Sequence, residues 1–206
     1  NIMNTQARGI GRTIWVATRA MALLTLALGV GYTLLITGIG QVALPAQANG
    51  SIITNQDGDP VGSSLIGQSF TDADGNPLPE YFQPRPSAAG DGYDGGASSG
   101  SNYGPENEDL IAAITERKAQ VAEFNGVTEA EVPVDAVTAS SSGLDPHISP
   151  AYAQIQIDRV ADARGIPAEQ VRELVAAHTQ GPDAGYLGES RVNVLELNLA
   201  LDELEN

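Results

Sequence analysis

Gly96-Ala97-Ser98-Ser99-Gly100 has the G-x-S-x-G spacing with which a hydrolase presents a nucleophilic serine. That elbow needs a strand before the serine and a helix after it, so that the hydroxyl stands free at a strained turn. Here Gly-Tyr-Asp-Gly precedes the motif and Gly-Ser-Asn-Tyr-Gly follows it, so neither element is expected and Ser98 reads as a loop residue. His147 and His178 are the only histidines. Asp145-Pro146-His147 offers a carboxylate and an imidazole, but zinc takes three or four protein ligands and no second His or Cys lies at ligand spacing, which leaves a hydrogen-bonded turn. Asp72-x-Asp74-x-Asn76 imitates the start of a calcium loop. Its sixth position is Pro77 instead of glycine and its twelfth is Gln83 instead of glutamate, so a turn explains it. Lys118 is the only lysine and follows Arg117, so no Gly-Lys-Ser/Thr phosphate loop exists. No catalytic or metal-binding set is expected, and no cofactor site can be assigned.

The elements around these residues divide the chain unevenly. Residues 1–41 hold three arginines (Arg8, Arg12, Arg19) and no acid, whereas the remainder holds seven basic residues and all 26 acids. The net charge of −16 therefore splits into +3 ahead and −19 behind. A domain that acidic repels nucleic acid and anionic headgroups, which excludes a DNA- or RNA-binding role. With no cysteine, disulfides, thiol nucleophiles and zinc–thiolate sites are excluded as well.

From Ala20 to Gly40 the chain runs without a charge. A helix over 20–40 would extend about 30 Å, the thickness of the bilayer hydrocarbon. Ala46-Gln47-Ala48 has the small-x-small form of a signal-peptidase site, but a signal core is only about 7–15 residues, so an uncleaved anchor is expected. The three arginines place residues 1–19 in the cytoplasm and 41–206 outside it, in a single-pass topology at the cell membrane. Thr25, Gly29, Thr33 and Thr37 recur every four residues, and small residues at that spacing admit a second helix closely within the bilayer. Glycine and threonine are also common in membrane helices, and this second reading of the stripe stays open.

Residues 41–206 read as one α+β domain. A hairpin is expected over 50–70, with Ser51-Ile52-Ile53 and Ser64-Leu65-Ile66 as its strands and Asp57-Gly58 as its turn. Residues 71–104 form a long irregular loop rich in Gly, Ser, Pro, Asp and Asn. Tyr81, Phe82, Tyr93 and Tyr103 argue against disorder and for an ordered excursion that packs on a partner. A helix over 106–124 aligns Leu110, Ile114, Val121 and Phe124 and stops at Gly126. Pro133–Ala139 reads as a short strand. Ser149-Pro150 starts a helix that ends at Arg164-Gly165, and a third helix over about 168–179 buries Val171, Leu174 and Val175. Leu195, Leu197, Leu199 and Leu201 alternate with smaller or polar residues, which favours a strand, with a helix as the alternative.

Several blocks then resemble one known family in order along the chain. They are Gln47–Ser51, Gly62–Phe70, Tyr81-Phe82-Gln83-Pro84-Arg85-Pro86-Ser87-Ala88, Gly100–Asn107, Val134–Ser140, Ser142-Gly143-Leu144-Asp145-Pro146-His147-Ile148-Ser149, Arg159–Gly165, His178-Thr179, Leu187–Glu189 and Val192–Asp202. The chain resembles the C-subunit family (KdpC) of the bacterial potassium-transporting P-type ATPase. Ser141 stands where the family has glycine, and the first twenty residues match nothing specific. The resemblance implies a complex with a channel-like A subunit, an ATP-hydrolysing B subunit and, in some species, a small F peptide. It also implies an assembly role, and a role as a catalytic chaperone that raises ATP affinity. The Asp-Lys-Thr-Gly sequence that such pumps phosphorylate is absent, so ATP and potassium are expected to be handled by the complex and no cofactor by this chain. An anchored hydrolase using Ser98 and an anchored solute-binding or sensor domain are the competing expectations.

Overall fold

The computed structural model describes residues 3–204 and forms two compact units, Asn1–Ser51 and Ile52–Asn206. The first is helical: α1 (Met3–Leu24), a π-helical segment (Thr25–Tyr32), α2 (Thr33–Ala43) and a short turn of helix, α3 (Pro45–Ala48). Leu44, with φ −137° and ψ 56°, breaks the helix ahead of Pro45. Gly9–Ala43 is a 35-residue helical stretch containing an 18-residue window of mean hydropathy 1.9, so it is long and apolar enough to cross a membrane. Arg12 and Arg19 lie at its N-terminal end; the side chain of Arg8 lies outside the described set.

The second unit is α+β. A hairpin pairs β1 (Ile52–Thr54) with β2 (Pro60–Ser63), in the register Ile52 to Ser63 and Ile53 to Gly62. Its second strand comes earlier than the pattern suggested, because Asn55 and Asp59 close the turn tightly: Asn55 N–H donates to Asp59 O, and Asp59 N–H to Asn55 Oδ1, both at 2.9 Å. Pairing therefore begins at Pro60, and 64–66 is left to a turn.

Helix α4 (Glu108–Asn125) begins at Asn107, whose Oδ1 accepts from the N–H groups of Asp109 and Leu110, and ends at Gly126 with φ 66°. Helix α5 (Pro150–Arg164) is capped by Ser149 and ended by Gly165 at φ 67°; α6 (Ala168–Ala177) follows. A three-stranded antiparallel sheet runs β3 (His147–Ile148), β5 (Arg191–Asn193), β4 (Thr179–Gln180). Ile157, Val160, Val171, Val175, Val192, Leu197 and Leu201 form the buried centre where these helices meet the sheet.

Two expected strands are not strands. Pro133–Ala139 contains a 3₁₀ turn at Val134–Ala136. Asp135 there accepts the N–H and hydroxyl of Ser149, at 2.7 and 2.9 Å, which ties the turn to the start of α5. The leucine-rich tail is helix α7 (Val194–Leu204). Its sequence carries both periods, since Val194, Leu197, Asn198 and Leu201 are also spaced i, i+3, i+4, i+7 and are all buried. β5 already has a neighbour on each side, so the tail has no open sheet position beside it, and Asn193 Oδ1 accepts from Glu196 N–H to turn the first helical residues.

Candidate functional site

The long loop 71–104 is ordered, and its order comes from polar side chains on the helices. Phe82 is fully buried. Its N–H donates to Asn198 Oδ1 at 2.9 Å, and its carbonyl accepts from Asn198 Nδ2 at 3.0 Å. Gln156 on α5 does the same for Gln83, whose N–H donates to Gln156 Oε1 at 2.7 Å while its carbonyl accepts from Gln156 Nε2 at 3.1 Å. Two side-chain amides thus stand in for the strand that would otherwise satisfy this extended backbone.

Two arginines extend the fastening. Arg159 sits 4.4 Å over the Phe124 ring and donates to Asn125 Oδ1 at 2.9 Å, to Gln156 Oε1 at 2.8 Å, and to the carbonyls of Tyr81 at 3.0 Å and Pro79. Burial pulls its guanidinium down to about 10, so it remains a cation at neutral pH. Arg164 stacks 4.8 Å over the Tyr81 ring, donates to Glu80 O at 2.7 Å and pairs with Asp202 at 2.8 Å. A fork of donors over an aromatic face is a task for which lysine is a poor substitute.

Further along, Arg85 pairs with Asp145 at 3.0 Å, and Asp145 also accepts from the His147 N–H at 3.0 Å and faces His147 Nδ1 at 3.3 Å. Burial opposes ionisation of Asp145, but the bonds from His147 and the charge of Arg85 outweigh it and hold the carboxyl below its ordinary value. The Tyr93 hydroxyl donates to Arg85 O at 2.8 Å, and burial pushes that hydroxyl up, well out of its ordinary range. Ser87 Oγ donates to Gly143 O at 2.6 Å, and Ser99 N–H to Ser142 O at 3.0 Å. Gly143, at φ +69°, lets this crossing close: a Cβ there would lie 2.6 Å from Ser99 O.

Ser98 is on this exposed loop with neither strand nor helix beside it, and its hydroxyl donates to Ser142 O at 2.9 Å. His178 caps α6, with Nδ1 2.9 Å from Leu174 O. Asp72 closes a turn by accepting from the side chain and backbone of Asn76 and from Asp74 N–H, and those bonds lower its carboxyl. Among the described residues no group of three or more His, Asp or Glu side chains could hold a metal ion. In the helical unit Thr25 and Gly29 fall in the π-helical segment and Thr33 and Thr37 in α2, and the Thr37 hydroxyl donates to Thr33 O at 2.8 Å.

Of the four loop aromatics, Tyr81, Phe82 and Tyr93 are engaged within the domain, whereas Tyr103 is exposed. The fastening roles of Gln156, Arg159, Arg164 and Asn198 were not expected from the sequence, although Arg159, Arg164 and Asn198 lie in blocks that carry the family resemblance. Their local signal was a polar residue set among apolar helix positions, as with Gln156 between Ile155 and Ile157.

The fold is thus a helix long and apolar enough to cross a membrane followed by a small α+β domain. Residues 14–203 match the family model for KdpC, the K+-transporting ATPase c chain. The chain is 54% identical over 183 residues to a potassium-transporting ATPase KdpC subunit of Beijerinckia indica, covering 89% of each. It is 55% identical over 184 residues to the one from Caulobacter vibrioides, again covering 89% of each. With that of Mycobacterium bovis it shares 49% identity over 194 residues, 94% of this chain and 99% of the relative. The chain belongs to the KdpC family of K+-transporting ATPase c chains.

Proposed function

We propose that this chain is a non-catalytic, single-pass subunit of an ATP-driven potassium import pump, and that it holds the channel-like A subunit and the ATP-hydrolysing B subunit together, with a small F peptide where one is present. The observation that carries this reading is the family match over residues 14–203, which runs through the membrane-length helix and the domain alike. Arg8, Arg12 and Arg19 ahead of the apolar stretch support an N-terminus in the cytoplasm and an extracytoplasmic domain. With that topology the domain lies across the bilayer from the nucleotide. This favours a scaffold over the outer potassium entrance and argues against direct assistance to ATP binding. ATP and potassium are then substrates of the complex, and this subunit carries no cofactor of its own. The acidic surface would enrich cations near the entrance over no more than ~8 Å at physiological salt.

A tagged chain from potassium-starved cells, captured in detergent, should bring down two larger membrane proteins, and potassium-stimulated ATPase should need the chain. Capture without those partners, or full activity and assembly in its absence, would overturn the reading. A periplasmic-active reporter fused after Leu204 should be active; activity only from a cytoplasmic reporter would reverse the topology. Neutralising surface acids should lower apparent potassium affinity at low ionic strength, and no change there would remove the cation-enrichment idea.

A further inference from the structure

Helix α4 and the start of the long loop leave a cleft of about 290 Å³ within the domain, at the small end of the range for ligand sites. Phe70, Pro84, Val121 and Phe124 supply apolar walls. Two polar side chains on its lining stand out. Tyr152 is only 3% exposed, but its hydroxyl, which makes no hydrogen bond among the described residues, is not sealed from solvent, since no fully shielded side-chain oxygen or nitrogen among those residues lacks a partner. Arg117 makes a single hydrogen bond, a long 3.3 Å contact from Nη1 to Val137 O, and no ion pair among the described residues. By contrast Arg85, Arg164, Arg172 and Arg191 each pair with a carboxylate, and Arg159, which like Arg117 has no ion pair among the described residues, places its donors on Asn125, Gln156 and the Pro79 and Tyr81 carbonyls. An unpaired guanidinium in a domain carrying −19 is the local exception in charge, and it lies on the rim of an apolar slot.

We infer that this cleft is a binding site for a small apolar carboxylate, with the hydrocarbon or aromatic body between Phe70, Pro84, Val121 and Phe124, the anionic group drawn by Arg117, and an oxygen accepting from the Tyr152 hydroxyl. The inference stands independently of the assembly role. Charge selects an anion, because five N–H donors with one weak internal acceptor remain available to it. Volume selects a small molecule.

The test uses the full chain in nanodiscs of zwitterionic lipid, with phenylbutyrate as the probe, and phenylbutanol and acetate as the uncharged and body-less controls, read by saturation-transfer NMR. Phenylbutyrate should bind saturably and more tightly than either control. Arg117→Gln should weaken it about tenfold and Tyr152→Phe several-fold, whereas Lys118→Gln, which changes the neighbouring cation away from the cleft, should leave it unchanged. Val121→Trp should fill the slot and abolish binding with circular dichroism unaltered. Absence of saturable binding, equal affinity for phenylbutanol, or wild-type affinity in folded Arg117→Gln and Tyr152→Phe variants each overturns the site.

Discussion

Asn198 bonds both backbone groups of Phe82, donating from Nδ2 to the carbonyl at 3.0 Å and accepting the N–H on Oδ1 at 2.9 Å across 116 residues of sequence. The residue that holds the long loop in place is therefore on the last helix, and loop order and the packing of α7 depend on each other.

Replacing Asn198 with alanine strands a buried donor and a buried acceptor at once. Asn198→Ala should destabilise the domain by about 3 kcal/mol, seen as a lowered Tm of the full chain. Asn198→Asp keeps the acceptor but loses the donor, and places a charge against the Phe82 carbonyl, so it should fare no better. A variant with wild-type Tm would show that the loop does not depend on this pair.

Gly143 occupies left-handed backbone with no room for a side chain. Gly143→Ala combines that strain with a clash against Ser99 O and Ala89, and should cost about 3 kcal/mol. The loop between Ser87 and Asn102 should also become the first site of limited proteolysis. Unchanged protease resistance would mean that the crossing is not what orders the loop.

Asp145 gives a pH dependence with a definite sign. Its folded carboxyl is held below the ordinary aspartate value of about 3.9, so its contribution is complete above that value and is lost as pH falls through the lower, folded one. Denaturant unfolding between neutral pH and the acid limb should therefore show a loss of stability below pH ~4. In Asp145→Asn that segment of the curve should be shallower, and identical acid limbs would remove Asp145 from the account.

The Ser98 hydroxyl is bonded to the Ser142 carbonyl, with no histidine among its partners. Ser98→Ala should leave pump activity within the error of the assay and change stability by less than about 1 kcal/mol. Complete loss of activity in a stable, assembled variant would revive the hydrolase reading.

Elements whose boundaries are written in local chemistry were legible from the residues themselves. Gly126 ends α4, and Ser149-Pro150 and Gly165 bracket α5, because capping needs only neighbours within a few positions. The apolar stretch was legible too, since about 30 Å of bilayer sets a length that no tertiary contact has to supply. The tail was not. Val194–Leu204 satisfies the strand and helix periods together, and the arrangement of β3 and β4 on either side of β5 decides between them.

The sequence by itself determined the division of charge, the membrane-length helix, the absence of thiol and phosphate-loop chemistry, and the helix ends. Each of these is a matter of composition or of spacing within a turn or two. Only the tertiary structure decided what the polar residues inside the helices do. Gln156, Arg159, Arg164 and Asn198 gain their roles from backbone groups 73 to 116 residues away, and a partner at that distance leaves no trace in the spacing around the side chain. The cleft beside Tyr152 and Arg117 belongs to the same class, because a void exists only once its walls have been brought together.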